Sequence, residues 1–270
     1  MFLAVLGLAI VPFVATGQSQ NSPAAQPPGQ QAAAALPSCP ELARALADLV
    51  RNDARLRDWA TLNRYRQPNR EIGPPQAGES RVVFMGDSIT DFWQQPRFGG
   101  FFARKPYIDR GISGQTTPQM LVRFRPDVVA LEPRVVVILA GTNDIAGNTG
   151  PATDEEIEGN LATMSELAHA NGIKVVLASL LPTAGYHHVA GGPAPPQTTT
   201  RPLSRIGAIN DWMKTYAQAH GNVYLDYFSA MADSAGQLRA ELSEDDLHPN
   251  AKGYAVMAPL AEAAVARALK

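Results

Sequence analysis

The sequence predicts an α/β fold: a central parallel sheet of about five strands with helices on both faces. Two observations carry this. Short, nearly unbroken apolar runs rich in β-branched residues recur from Arg81 onward, as strands buried on both faces require. Stretches with helical spacing of apolar residues lie between them, and alternating strand and helix is the pattern of a parallel sheet covered on both sides.

The elements follow in chain order. Phe2 to Val14 is almost wholly apolar and is followed by Ala15-Thr16-Gly17. It is too short to span a bilayer comfortably, and small residues at the first and third of those positions suit signal-peptidase cleavage before Gln18. Residues 1–17 therefore read as a signal peptide. The expected product is secreted or periplasmic, with no stable membrane span after cleavage. Residues 18–39 are rich in Gln, Ala and Pro, which cannot bury a core and make a flexible linker. Residues 40–80 read as a helical extension: Leu42, Leu46, Leu49 and Val50 recur at helical spacing, and Leu56, Trp59, Ala60 and Leu62 carry it to about Tyr65. A Gly73-Pro74-Pro75 loop leads into residues 81–270, the α/β domain.

Within that domain the strand candidates are Val82 to Met85, Tyr107-Ile108, Val135 to Leu139, Ile173 to Leu177 and Val223 to Leu225. Helices are expected around Thr117 to Leu131, Asp154 to Ala170, Leu203 to Ala219 and Ala251 to Leu269. Thr117-Pro118 reads as an N-cap followed by proline in the first turn, and Asn171-Gly172 as a helix stop.

Composition excludes some classes. The formal net charge of −2 over 270 residues leaves no global basic footprint for nucleic acid. A lone cysteine, Cys39, rules out an intrachain disulfide framework and a cysteine-rich zinc site. Neither a cofactor nor a metal is expected.

Open parallel sheets bind ligands beyond the carboxyl ends of their strands, and four polar clusters fall there. Gly86-Asp87-Ser88 follows the first strand, Ile112-Ser113-Gly114-Gln115 the second, and Gly141-Thr142-Asn143-Asp144 the third. Asp245-Asp246-Leu247-His248-Pro249 precedes the last helix. A serine at a strand-to-helix turn exposes its hydroxyl, which becomes a nucleophile once a base takes its proton. His248 can supply that base, since histidine titrates near neutral pH. Asp245, three residues earlier, can hold the other imidazole nitrogen. An oxyanion would be met by the backbone N–H groups of Ser88 and Gly114 and the amide of Asn143.

These blocks resemble the SGNH (GDSL-like) hydrolases, named for a Ser, Gly, Asn and His in four blocks. Ser88, Gly114, Asn143 and His248 match in family order, over roughly Val82 to Leu269. The resemblance implies a flavodoxin-like three-layer α/β/α sandwich and cofactor-free hydrolysis of acyl esters. One departure is Asp246, where the family often has glycine; it sets a second carboxylate beside Asp245.

Phe92 and Trp93 follow the serine closely and either line a substrate pocket or pack in the core. Tyr186, His187 and His188 lie in a Thr/Pro/Gly-rich stretch from Pro182 to Pro202, a candidate substrate-facing loop. The reading is a serine esterase for short acyl groups, such as acetyl on sugars or aryl alcohols, because no extended apolar lid helix is evident. A lysophospholipase or thioesterase on longer chains is the alternative. A catalytically silent glycan-binding module is another, although binding alone needs no Asp-x-x-His. A phosphate binder would want a glycine-rich fingerprint that is missing here.

Overall fold

A computed structural model describes residues 38–98, 100–187, 192 and 195–270. The expected signal peptide, nearly all of the linker, and His188 lie outside the described residues. Backbone contacts divide the chain into two units, Met1–Asp48 and Leu49–Lys270.

Helix α1 spans Cys39–Arg57. The apolar residues whose spacing predicts it, Leu42, Leu46, Leu49, Val50 and Leu56, are all exposed. The helix ends eight residues before Tyr65. Asp58 stops it, because its carboxylate accepts the backbone N–H of Leu62 at 2.7 Å and of Asn63 at 2.9 Å, local side-chain bonds that compete with helix continuation. Thr61 in this turn has φ of +57°. A short helix α2, Arg66–Ile72, follows. Its Pro68 sits in the first turn, where no N–H is needed. The Asp58–Ile72 stretch belongs to the larger unit and is bonded to the rest of it through Tyr65 and Asn69. The Tyr65 hydroxyl donates to the Gly111 carbonyl, and Asn69 bonds Arg110 and Asp127, both at 2.8 Å.

The sheet comprises β1 Val82–Gly86, β2 Tyr107–Gly111, β3 Val135–Leu139, β4 Lys174–Ala178 and β5 Val223–Leu225. All pairings are parallel, in the order β2-β1-β3-β4-β5. Every residue of β1 and β3 is buried, which is why these runs carry no alternation. Each fully buried Val or Ile there contributes about 1.5–3 kcal/mol. The chain leaves β1 for β2 on one side and returns to β3 on the other. The resulting crevice at the ends of β1 and β3 is the switch point where open sheets bind ligands.

The remaining helices are α3 Ser88–Asp91, α4 Thr117–Asp127, α5 Thr142–Ile145, α6 Asp154–Ala170, α7 Gln197–Thr200, α8 Leu203–Ala219, α9 Phe228–Met231 and α10 Ala251–Ala268. Helices α4, α6 and α8 pack side by side, and α10 crosses β3, β4 and β5. Helices thus flank the sheet on both sides, giving an α/β/α sandwich. Helix α4 is shorter than its apolar pattern suggests and its cap lies one residue earlier. Thr116 forms a capping box with Gln119, Pro126 lies in the last turn, and a 3-10 turn completes the run at Val129–Leu131.

Candidate active site

At the end of β1 the chain turns sharply at Asp87. Its carboxylate accepts the N–H of Ile89 at 2.9 Å and so caps α3, leaving Ser88 as the first helical residue. Close packing of this turn on β2 needs a glycine: a Cβ at Gly111 would lie 2.1 Å from the backbone nitrogen of Asp91. Tyr254 of α10 holds the turn from the other side, its hydroxyl donating to the Ile89 carbonyl at 2.8 Å.

His248 enters from the loop before α10. Its Nε2 lies 2.9 Å from Ser88 Oγ, and its Nδ1 lies 2.6 Å from Asp245 Oδ2. Asp245 also accepts the backbone N–H of His248 at 2.7 Å and of Leu247 at 3.1 Å. Partial burial pushes the Asp245 carboxyl up, but the hydrogen bonds and charge of His248 outweigh this and hold it well below the usual carboxylate range. Asp246 faces away from His248. Its carboxylate receives His187 Nδ1 and the His187 backbone N–H, both at 2.7 Å. Asp246 has φ of +67°, the left-handed region where glycine is easiest and aspartate is tolerated.

Asn143 stands on α5 beyond β3, 3% exposed. Its Nδ2 donates to the Gln115 carbonyl at 3.0 Å and faces Asp87 Oδ2 at 3.4 Å. The second contact is long for an N–H···O bond, so one hydrogen is loosely held. Arg201 fixes the orientation of this amide. Its Nη2 is 3.3 Å from Asn143 Oδ1 and its Nε 3.1 Å from the Thr142 carbonyl. Guanidinium can only donate, so the amide oxygen must face it and the NH₂ must face Gln115. Gly114, with φ of +80°, stands beside Gln115. Asn148 joins the two loops: its side chain donates to the Gly114 carbonyl and its N–H to the Asn143 carbonyl, both at 3.0 Å. Asp144 is buried under this loop and receives the Thr117 hydroxyl at 2.6 Å. Burial pushes its carboxyl up against those hydrogen bonds. Burial likewise pushes Asp87 up to about 6, despite the Ile89 hydrogen bond and the nearby His248 and Arg201.

The sequence-derived residues thus separate into two sets. Ser88, His248 and Asp245 form one hydrogen-bonded chain, and Asn143 and the Gly114 loop lie beside it through Asp87 and Gln115. The Phe92 ring lies against His248 with centroids 5.0 Å apart. Trp93 is a core residue instead of a pocket wall: it is 4% exposed and packs on Phe84, Phe101, Phe102 and Tyr254. Its large ring finds an aromatic cluster under the turn. Tyr186 is exposed and bonds Asp233, while His187 is held by Asp246. Two buried arginines had no signal in sequence. Arg201 lies 58 positions from the amide it orients. Arg123, fully buried, donates to the carbonyls of Gly86 at 2.9 Å and Arg110 at 2.8 Å, bracing β1 below Ser88.

Residues 84–256 match the GDSL-like Lipase/Acylhydrolase family model, well over half of the chain. The chain belongs to this family. A GDSL-like lipase from Bacteroides thetaiotaomicron VPI-5482 is 40% identical, with a TM-score of 0.70 over 77% of this chain and 98% of its own. A candidate acylhydrolase from Bacteroides fragilis NCTC 9343 is 42% identical, with a TM-score of 0.69 over 78% of this chain and 99% of its own. An 88-residue stretch is 33% identical to the uncharacterized lipoprotein YqeF of Bacillus subtilis (strain 168) and spans only 36% of that protein. Membership gives a general hydrolytic function of esterase or lipase type. Among the described residues no helix is long and apolar enough to cross a membrane.

Proposed function

We propose that this chain is a secreted or periplasmic serine esterase that cleaves short acyl esters through an acyl-enzyme. The observation that carries the reading is the chain Ser88 Oγ···Nε2 His248 Nδ1···Asp245, with contacts of 2.9 and 2.6 Å. His248 takes the Ser88 proton as Oγ attacks the ester carbonyl, and Asp245 holds the imidazole in the tautomer with Nδ1 protonated and stabilises its charged form. The carbonyl oxygen becomes an anion facing the N–H groups of Ser88 and Gly114 and the Asn143 amide. The hydrogen that Asn143 shares loosely with Asp87 is the one it turns to that oxygen. Collapse breaks the ester C–O bond, and the alcohol leaves with the proton from His248. Water, deprotonated by His248, then attacks the acyl-enzyme; acid is released and Ser88 Oγ recovers its proton.

Short acyl groups are favoured because α7, after the loop that follows β4, reads Gln-Thr-Thr-Thr and offers no apolar lid. The test is Ser88→Ala on a panel of p-nitrophenyl esters of increasing chain length and acetylated sugars. The expected loss in kcat is on the order of 10⁶, with wild-type activity highest on acetyl esters. Wild-type rates from a folded Ser88→Ala protein contradict the mechanism; highest activity on long chains contradicts the substrate reading.

A further inference from the structure

Between the Gly114 loop and the Asp58–Thr61 turn lies a cavity of about 530 Å³, in the size range of small-molecule sites. A second, of about 550 Å³, shares Trp59 and Thr149 with it. Gly114 lines the first and Asp144 the second, whereas Ser88 and His248 line neither. The two cavities therefore adjoin the loops that carry Gly114 and Asn143 without reaching Ser88 or His248.

Trp59 is the large apolar element of the first cavity, among Thr61, Ser113, Gln119, Asn148 and Thr149. Its side of the chain is held firmly. The Trp59 carbonyl accepts from Gln119 at 2.6 Å, and the next carbonyl, Ala60, accepts from Gln115 at 2.8 Å. Ala60 itself is buried, yet Trp59 remains 44% exposed. A large ring on a fixed backbone gives contact area at low entropic cost. The charge nearby is already used, since both oxygens of Asp58 cap their own turn. A cationic ligand is thus not called for. Gln119 and Asn148 each give one amide hydrogen to a backbone carbonyl and keep the second for a ligand, so what fits is a neutral ligand with an apolar face for the indole and hydroxyls around its edge.

We propose that Trp59 forms a sugar-binding subsite, which seats the glycan part of an ester whose acyl group is cleaved at Ser88. This rests on the esterase reading for its purpose, but its test does not need turnover. Unacetylated xylotetraose and chitotetraose carry no ester and are titrated calorimetrically into the full protein. Saturable binding of at least one is expected, weakened about tenfold by Trp59→Ala and largely kept by Trp59→Phe, with unchanged thermal melts. No saturable binding of either sugar to the wild type overturns the proposal, as does equal affinity in a folded Trp59→Ala protein. If Ser88→Ala stays active while sugar binding still depends on Trp59, the catalytic reading falls and the subsite stands.

Discussion

Two adjacent aspartates each hold a histidine, and they do so in nearly the same way. Asp245 takes His248 Nδ1 at 2.6 Å and the His248 N–H at 2.7 Å. Asp246 takes His187 Nδ1 and the His187 N–H, both at 2.7 Å. The difference lies at the far nitrogen. His248 Nε2 meets the Ser88 hydroxyl, while among the described residues no hydroxyl bonds the other nitrogen of His187. An aspartate–histidine couple orients an imidazole; a reaction needs the third group. The positive φ of Asp246 explains how neighbouring carboxylates diverge, one into each couple.

Removing each acid in turn separates the couples most sharply. Asp245→Asn should lower kcat by about 10⁴, through the wrong imidazole tautomer. Asp246→Asn should change kcat less than about tenfold, yet lower thermal stability by about 1–3 kcal/mol, because a buried acceptor of two hydrogen bonds is altered. Kinetics and melts on the same preparations check this; a larger kcat loss for Asp246→Asn would reverse the assignment.

The loop around Asn143 gives the next effect. Asn143→Ala should cost roughly 10²- to 10³-fold in kcat with KM nearly unchanged, since its donor is needed most when the oxyanion forms. Arg201→Met should repeat that pattern with a smaller loss, up to about tenfold, because it frees the amide to rotate without deleting it. Arg201→Lys should recover part of the loss. A rise in KM at constant kcat for either change would place these residues in ground-state binding instead.

The last effect is read in stability and not in kcat. Asp87 titrates at about 6 in the folded protein, raised from an ordinary 3.8 by burial. Its folded form binds the proton more tightly than the unfolded chain. Its favourable contribution is therefore complete below 3.8 and is lost as pH rises through 6. Asp87→Asn should gain stability relative to the wild type between pH 4 and pH 7, by up to about 3 kcal/mol. Denaturant titrations at both pH values read this directly, and a pH-independent difference would show that Asp87 is not the group that titrates.

The same contrast explains what was legible in the sequence. The sheet was readable because β1 and β3 are buried on both faces and keep unbroken apolar runs. Asp245 and His248 are three residues apart, so local spacing alone suggested their pairing. The His187–Asp246 bond joins positions 59 apart, Arg201 reaches Asn143 across 58, and Gln119 reaches Trp59 across 60. No local pattern encodes such contacts. Helical spacing also misled at both ends of one segment. It ran on past Arg57 because the Asp58 turn keeps apolar residues at matching positions, and in α1 it marked a stripe that stays exposed. Trp93 lies five residues after Ser88, close enough in sequence to leave pocket wall and core both open, and its ring turns inward to the aromatic cluster.

The pairing of Ser88 with His248 is tested most directly by fluorophosphonate labelling mapped by mass spectrometry. This reagent captures a serine whose proton is being removed. One adduct is expected, on Ser88, formed rapidly in the wild type and in His187→Gln and nearly abolished in His248→Gln. An adduct on another residue, or equal labelling of Ser88 in His248→Gln, would contradict the account.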